Sequence, residues 1–260
     1  MFEKTRVAIL SANPWPTARI QVDVEAREIW EKIREGPYRD RFHFEVRTGV
    51  RPNDLQRLLL EYEPHIVHFS GHGSKAQKLI LEGTSGRAKT IDNAGLAQVF
   101  ALYKRHIRLV VLNACLTTTL ARSITQTVDF AIGASKGIGD KAGIAFAGAF
   151  YRALGFGKSV EEAFASAKAE LGLTRVRRAQ GIELFVRKGL RETNSFPHAR
   201  PAEMLFTRTD THSLCRITMF EKLSITRASK GIGYLLRSTS VRRCDVLEEQ
   251  IAPALPNDVR

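Results

Sequence analysis

His65-Ile66-Val67-His68-Phe69-Ser70-Gly71-His72-Gly73 is the stretch on which the fold turns. After Pro64, residues 65–70 form a short apolar run bounded by glycine, the pattern of a buried strand. Arg108 to Asn113, with Leu109, Val110, Val111 and Leu112 in succession, is apolar at every interior position and ends at Ala114-Cys115. Strands that are apolar on both faces belong to parallel sheets covered by helices on each side.

The same alternation extends along the first two-thirds of the chain. Strands are expected at Arg6–Ala12, Phe42–Val46, His65–Ser70, Arg108–Asn113, Val128–Ala134 and Ile182–Val186. Between them, helical periodicity covers Arg19–Arg34 (Ile20, Val24, Ile29 and Ile33 inward), Pro52–Glu61, Asn93–Tyr103, Thr117–Gln126, Lys141–Leu154 and Ser159–Leu171. The last of these opens with Ser159 and Glu162 at capping-box spacing. The expected fold is a three-layer α/β sandwich, with a mostly parallel six-stranded sheet and helices on both faces. In such sheets ligands bind beyond the carboxyl ends of the strands.

Beyond Arg191 the periodicity fades. The chain divides into a folded body, 1–190, and a C-terminal tail, 191–260, of no assigned role and with too little pattern to require order. Met219–Leu223 and Ile232–Leu236 are its short candidate elements. Ser-Lys-Gly-Ile-Gly occurs at 135–139 and again at 229–233, but nothing around the two copies matches.

Composition narrows the function classes. With 260 residues and 43% apolar content, the chain can build a core and is not a disordered segment. The net charge is +13, of which +3 falls on residues 191–260. That excess raises the question of anionic partners, but no interleaving of aromatic and basic residues typical of RNA platforms accompanies it. The basic run Arg175, Arg177 and Arg178 reads as solvated surface. Cys115, Cys215 and Cys244 form neither a disulfide framework nor a metal knuckle, which points to a reducing compartment. The longest uncharged stretch, 109–121, is too short to span a bilayer, and a soluble cytoplasmic protein is expected.

Two strand ends carry chemistry. His72 follows a strand between two glycines, which permit a sharp turn and leave the Gly73 N–H clear of side-chain bulk. Cys115 ends a buried strand just before a helix, whose dipole favours a thiolate. About one helix and one strand separate them, so neighbouring parallel strands can bring both to one edge. A thiolate activated by a histidine is the minimal apparatus for acyl transfer, and the Gly73 and Cys115 N–H groups are candidates for an oxyanion hole.

These segments, together with Asp129-Phe130-Ala131-Ile132-Gly133, Gly139-Asp140-Lys141, Phe146–Leu154 and Gly157–Ala163, resemble the CHAT domain over roughly residues 4–175. CHAT domains form a caspase-like, separase-like group of cysteine peptidases. The resemblance implies a caspase-hemoglobinase fold, His72 as base, Cys115 as nucleophile and endopeptidase activity, often in prokaryotic defence or regulated death systems. By the same resemblance Asp140 is similar to an acidic residue that lines a pocket for a basic P1 side chain. Protein substrates and an activating or sensor partner are implied. No cofactor or metal is required, and no membrane span is expected.

Other readings compete. A lone buried cysteine is usually a small core hydrophobe. His65 and His68 read as packing or backbone-bonding residues. His68, His72 and Cys115 can be drawn as metal ligands, but no fourth ligand stands at recognisable spacing. Gly157-Lys158-Ser159 ends like a phosphate loop but follows a helix. Thr117, Thr118 and Thr119 fit a helix N-cap and first turn. The main alternative to an enzyme is a non-catalytic module of the same fold that recruits a protein partner. A nucleotide-binding or TIR-like signalling domain fits the opening strand and helix but gives no reason for His72 or Cys115.

Overall fold

The computed structural model describes residues 4–174, 176 and 180–190, and four strands between Leu205 and Arg237. The chain falls into two compact units, 1–197 and 198–260.

Six strands of the first unit build one sheet: β1 (Thr5–Ser11), β2 (Phe42–Arg47), β3 (Ile66–Ser70), β7 (Leu109–Asn113), β8 (Phe130–Ala134) and β9 (Ile182–Val186). Their order is β2-β1-β3-β7-β8-β9. The first five run parallel, and β9 lies antiparallel to β8. This is the three-layer α/β arrangement expected, because strands apolar on both faces need cover on each. Side chains alternate across the sheet. Ile66, Leu109, Val111, Phe130 and Ile132 face α1 (Val22–Arg34), α5 (Asp140–Gly155) and α6 (Val160–Leu173). Val67, Phe69, Val110, Leu112 and Ala131 face α2 (Pro52–Tyr62), α3 (Asn93–Leu102) and α4 (Thr118–Ile124).

Local chemistry fixes the helix ends. Ser159 and Glu162 form the expected capping box, with bonds of 3.1 and 3.0 Å. Asp92 caps α3 by accepting from the Ala94 and Gly95 N–H groups. α1 starts three residues later than the periodicity predicts. The Asn13 side chain holds both backbone groups of Ile20, its amide donating to the carbonyl at 2.9 Å and its oxygen accepting from the N–H at 3.3 Å, which keeps that turn out of the helix. The inward stripe of α1 also differs from expectation. Val24 is exposed, and Glu25 shares the buried face with Ile29 and Ile33. α1 and α5 meet closely, since a Cβ built on Gly36 would lie 2.0 Å from the Gly155 carbonyl oxygen.

Residues 71–92, to which the sequence reading gives no element, hold a three-stranded antiparallel sheet. Its strands are β4 (His72–Gly73), β5 (Leu79–Glu82) and β6 (Ala88–Thr90), in that order. Just ahead of β8, Asp129 accepts hydrogen bonds from Arg187 at 2.7 and 3.1 Å and from the Arg108 Nε.

The second unit contains a four-stranded antiparallel sheet of β10 (Leu205–Thr209), β11 (Leu214–Thr218), β12 (Lys222–Arg227) and β13 (Tyr234–Arg237), in sequence order. β12 and β13 overlap the two short elements expected there, whereas β10 and β11 are additional. Arg175, Arg177, Arg178, Cys244 and the second Ser-Lys-Gly-Ile-Gly copy lie outside the described residues.

Candidate active site

β3 and β7 are neighbours in register, with His68 beside Val111 and Ser70 beside Asn113. His72 lies two residues beyond Ser70, and Cys115 two residues beyond Asn113. Both therefore stand at the carboxyl edge of adjacent parallel strands. The two chains stay in touch past the last pair, because the Gly71 N–H donates to the Asn113 carbonyl at 3.2 Å.

Gly73 packs directly on the Cys115 backbone. A Cβ built on it would meet the Cys115 carbonyl oxygen at 1.7 Å and the Cys115 nitrogen at 3.4 Å. Only glycine permits that approach. Gly73 also occupies a non-hydrogen-bonded position opposite Leu79, because the next residue, Ser74, donates to the Lys78 carbonyl at 2.8 Å. Its own N–H is therefore turned away from β5. Among the described residues neither the Gly73 nor the Cys115 N–H has an acceptor.

The turn that carries Cys115 is tightly held. Leu116 adopts φ of +56°, a left-handed conformation costing about 1–2 kcal/mol for a residue with a Cβ. Such strain persists only where neighbours enforce it. Here Thr117 does so. Fully buried, it donates its hydroxyl to the Ala114 carbonyl at 3.0 Å and accepts from the Ala134 N–H at 3.0 Å. Thr117 thus stands at the N-cap position of α4, as expected, but its side chain caps nothing and ties the cysteine turn to the end of β8 instead.

The two side chains do not touch as a hydrogen-bonded pair. The Cys115 thiol lies against the backbone of Ile138, 3.3 Å from its N–H and 3.7 Å from its carbonyl. The Nε2 of His72 is buried without a hydrogen-bond partner among the described residues. An orphaned buried imidazole nitrogen is costly in a merely structural setting and calls for an explanation. Asp140 is exposed at the first position of α5, two residues past Ile138, and accepts from the Gln21 N–H at 3.2 Å.

Beneath this edge lies a buried polar cluster that sequence reasoning missed. Glu25 accepts from the His68 Nε2 at 2.9 Å, and also from the Ser70 hydroxyl and the Asn113 amide. The Tyr151 hydroxyl stands 3.3 Å from the His68 Nδ1. Glu25, His68 and Tyr151 are all buried. Burial, reinforced by the Glu25 charge, raises the Tyr151 hydroxyl well above its ordinary pKa and keeps it a donor. His65 does make the backbone bond expected, accepting from the Arg6 N–H at 3.0 Å, but His68 bonds only side chains. The available signal was Glu25 at i−4 and i−8 from Ile29 and Ile33, a charge on an apolar stripe. No group of three or more potential metal ligands occurs among the described residues, so His68, His72 and Cys115 are not gathered into such a site.

The CHAT-domain family model matches residues 5–181. The chain belongs to the CHAT family. A Roc-COR-CHAT protease from an unknown prokaryotic organism is 30% identical to it over 132 residues, 48% of this chain and 12% of that protein. A probable protease from Gillisia limnaea is 25% identical over 154 residues, 58% of this chain and 27% of that protein. The CHAT match to each curated relative thus spans about a quarter of its length or less. Among solved structures, the secreted C11 cysteine protease of Bacteroides thetaiotaomicron, in complex with an irreversible peptide inhibitor, aligns at TM-score 0.48 and 12% identity, covering 69% of this chain and 65% of that one. The Arg-specific cysteine proteinase gingipain R aligns at TM-score 0.49 and 11% identity, covering 70% and 46%. No described helix of this CHAT chain is long and apolar enough to cross a membrane.

Proposed function

We propose that this CHAT domain is a cysteine endopeptidase working through His72 and Cys115. The observation that carries the reading is the pairing of β3 with β7, which ends at Ser70 and Asn113, two residues short of His72 and Cys115, with Gly73 stacked on the cysteine. The protease names of the curated relatives support it. The thiol proton passes to His72, and the sulfur attacks the scissile carbonyl carbon. The oxyanion forms beside the unengaged N–H groups of Gly73 and Cys115. His72 returns the proton to the departing amine. It then takes a proton from water as the hydroxide adds to the thioester carbonyl; the C–S bond breaks, the acid leaves, and His72 returns that proton to the Cys115 thiolate. No cofactor takes part. Asp140 lines the pocket for a Lys or Arg side chain preceding the cleaved bond. The setting is a cytoplasmic prokaryotic defence or signalling system, with an activating partner that brings imidazole and thiol together.

A second reading, a non-catalytic recruiting module, is favoured by the thiol's bonding to Ile138 rather than to His72. An acyloxymethylketone peptide probe with Lys at P1 separates the two. Modification of Cys115 that disappears in His72→Ala supports the peptidase, and labelling indifferent to His72 supports the module. Asp140→Ala lowers labelling by basic-P1 probes alone, and an unaltered apolar P1 preference removes Asp140 from the pocket. New N-termini in cells that express the wild type and not Cys115→Ala identify substrates.

A further inference from the structure

We infer that Glu25 is a positioning residue, whose carboxylate locks the carboxyl ends of β3 and β7 together and so holds His72 and Cys115 in register. This rests on the peptidase reading above, and concerns how that site is built rather than what it does.

A carboxylate on the apolar stripe of α1 is costly to bury unless its oxygens are fully hydrogen-bonded. Here they are, and the donors are particular ones. Ser70 and Asn113 are the last paired residues of β3 and β7 and face each other across the ladder. Glu25 takes the hydroxyl of the first on one oxygen and the amide of the second on the other. One side chain therefore bridges the two strands at the final rung before the site. The next pleat, about 7 Å further along each strand, carries His72 and Cys115.

The remaining members fix the bridge in place. The His68 Nε2 donates to the same oxygen that Asn113 reaches. The Tyr151 hydroxyl meets Nδ1 of the same ring at 3.3 Å, so both imidazole nitrogens of His68 have partners. Asn113 cannot swing away, because it packs on Gly143 of α5, where a Cβ would lie 2.6 Å from both its amide atoms. The carboxylate thus gathers α1, β3, β7 and α5 at one point. Apolar residues of similar volume generally stabilise a core as well as a buried charge does or better. Glu25 therefore serves geometry rather than net stability.

The test uses the full chain and three variants. Glu25→Met fills the volume and strands three donors. Glu25→Gln keeps an acceptor for His68 and Asn113, with its amide able to donate to Ser70. Ser70→Ala removes one arm and threatens folding least. Expected results are a fall in kcat of about 100-fold for Glu25→Met and about tenfold for Ser70→Ala, with KM within twofold, and rescue by Glu25→Gln to within about threefold of wild type. Hydrogen exchange at 70–73 and 113–116 should rise at least tenfold more than in the rest of the sheet. If Glu25→Met does not fold, Ser70→Ala against Glu25→Gln gives the same comparison. Uniform acceleration of exchange across the sheet, or kcat unchanged in Ser70→Ala and Glu25→Met, overturns the inference. Should the wild type show no His72-dependent labelling of Cys115, the peptidase reading fails. The exchange measurement still decides whether Glu25 locks the two strand ends.

Discussion

Gly73→Ala tests the site's construction most directly. The added Cβ would sit 1.7 Å from the Cys115 carbonyl oxygen, whereas real Cβ atoms essentially never approach a neighbour within 3.0 Å. The β4 strand and the cysteine turn must therefore separate by more than about 1.3 Å. Neither partner yields freely. The turn is tied to β8 through Thr117, and β4 is paired to β5. A displacement of about 1 Å in reacting groups is enough to lower a rate ~100-fold. The variant should thus lose at least two orders of magnitude in kcat/KM on a basic-P1 peptide, and in Cys115 labelling. Stability should fall by only ~1–3 kcal/mol, the ordinary cost of overpacking. Gly172→Ala in α6 is the matched control. Nothing lies within 4 Å of its Cβ, and in the last turn of α6 the change should leave stability within ~1 kcal/mol of wild type. Thermal denaturation and peptide hydrolysis, run in parallel, decide the matter. A Gly73→Ala protein with labelling and turnover within threefold of wild type would show that β4 does not rest on the cysteine backbone.

Three other perturbations read out the fold. Gly36→Ala would drive a Cβ to 2.0 Å from the Gly155 carbonyl oxygen and wedge α1 from α5, lowering stability by ~2 kcal/mol or more in denaturant titrations. Asp129→Asn removes the charge that both Arg108 and Arg187 engage, and should cost ~1–3 kcal/mol without altering turnover per folded molecule. Asp92 is held below the ordinary carboxylate range, first by the Gly95 N–H at the head of α3 and then by Lys78. With its folded pKa depressed, its contribution is complete above the unfolded value near ~4 and is lost as pH falls through the lower folded value. Asp92→Asn should therefore flatten that acid limb of a stability–pH curve, and an unchanged limb would refute the assignment.

The parallel sheet was legible because its strands are short, apolar on both faces and punctuated by glycine or proline. The placement of His72 and Cys115, the proposed pair, was legible for the same reason, since each stands just past such a strand. Less was visible where tertiary bonds overrule local pattern. Periodicity turned Val24 inward on α1, whereas the network from Ser70, His68 and Asn113 holds Glu25 there and leaves Val24 exposed. Asn13 shortened the same helix through bonds to Ile20 seven residues away. The small sheet at 72–90 escaped notice because its strands are only two to four residues long and carry no sustained alternation. In the tail, β10 and β11 are five residues each with charged or threonine positions interspersed, too weak a pattern to read without their partners.

The reversed direction of β9 has a topological consequence. Its first residue, Ile182, sits beside Ala134 and its last, Val186, beside Phe130, so the strand runs back from the site's rim to the opposite margin of the sheet. β1 begins at that same margin. The start of β1 and the end of β9 therefore share the rear edge of the sheet, with β3, β7 and β8 between them, and a segment joined at either would be anchored on that edge. Its influence on the thiol would have to travel the length of a strand, about 17 Å, through the packed body or reach around it.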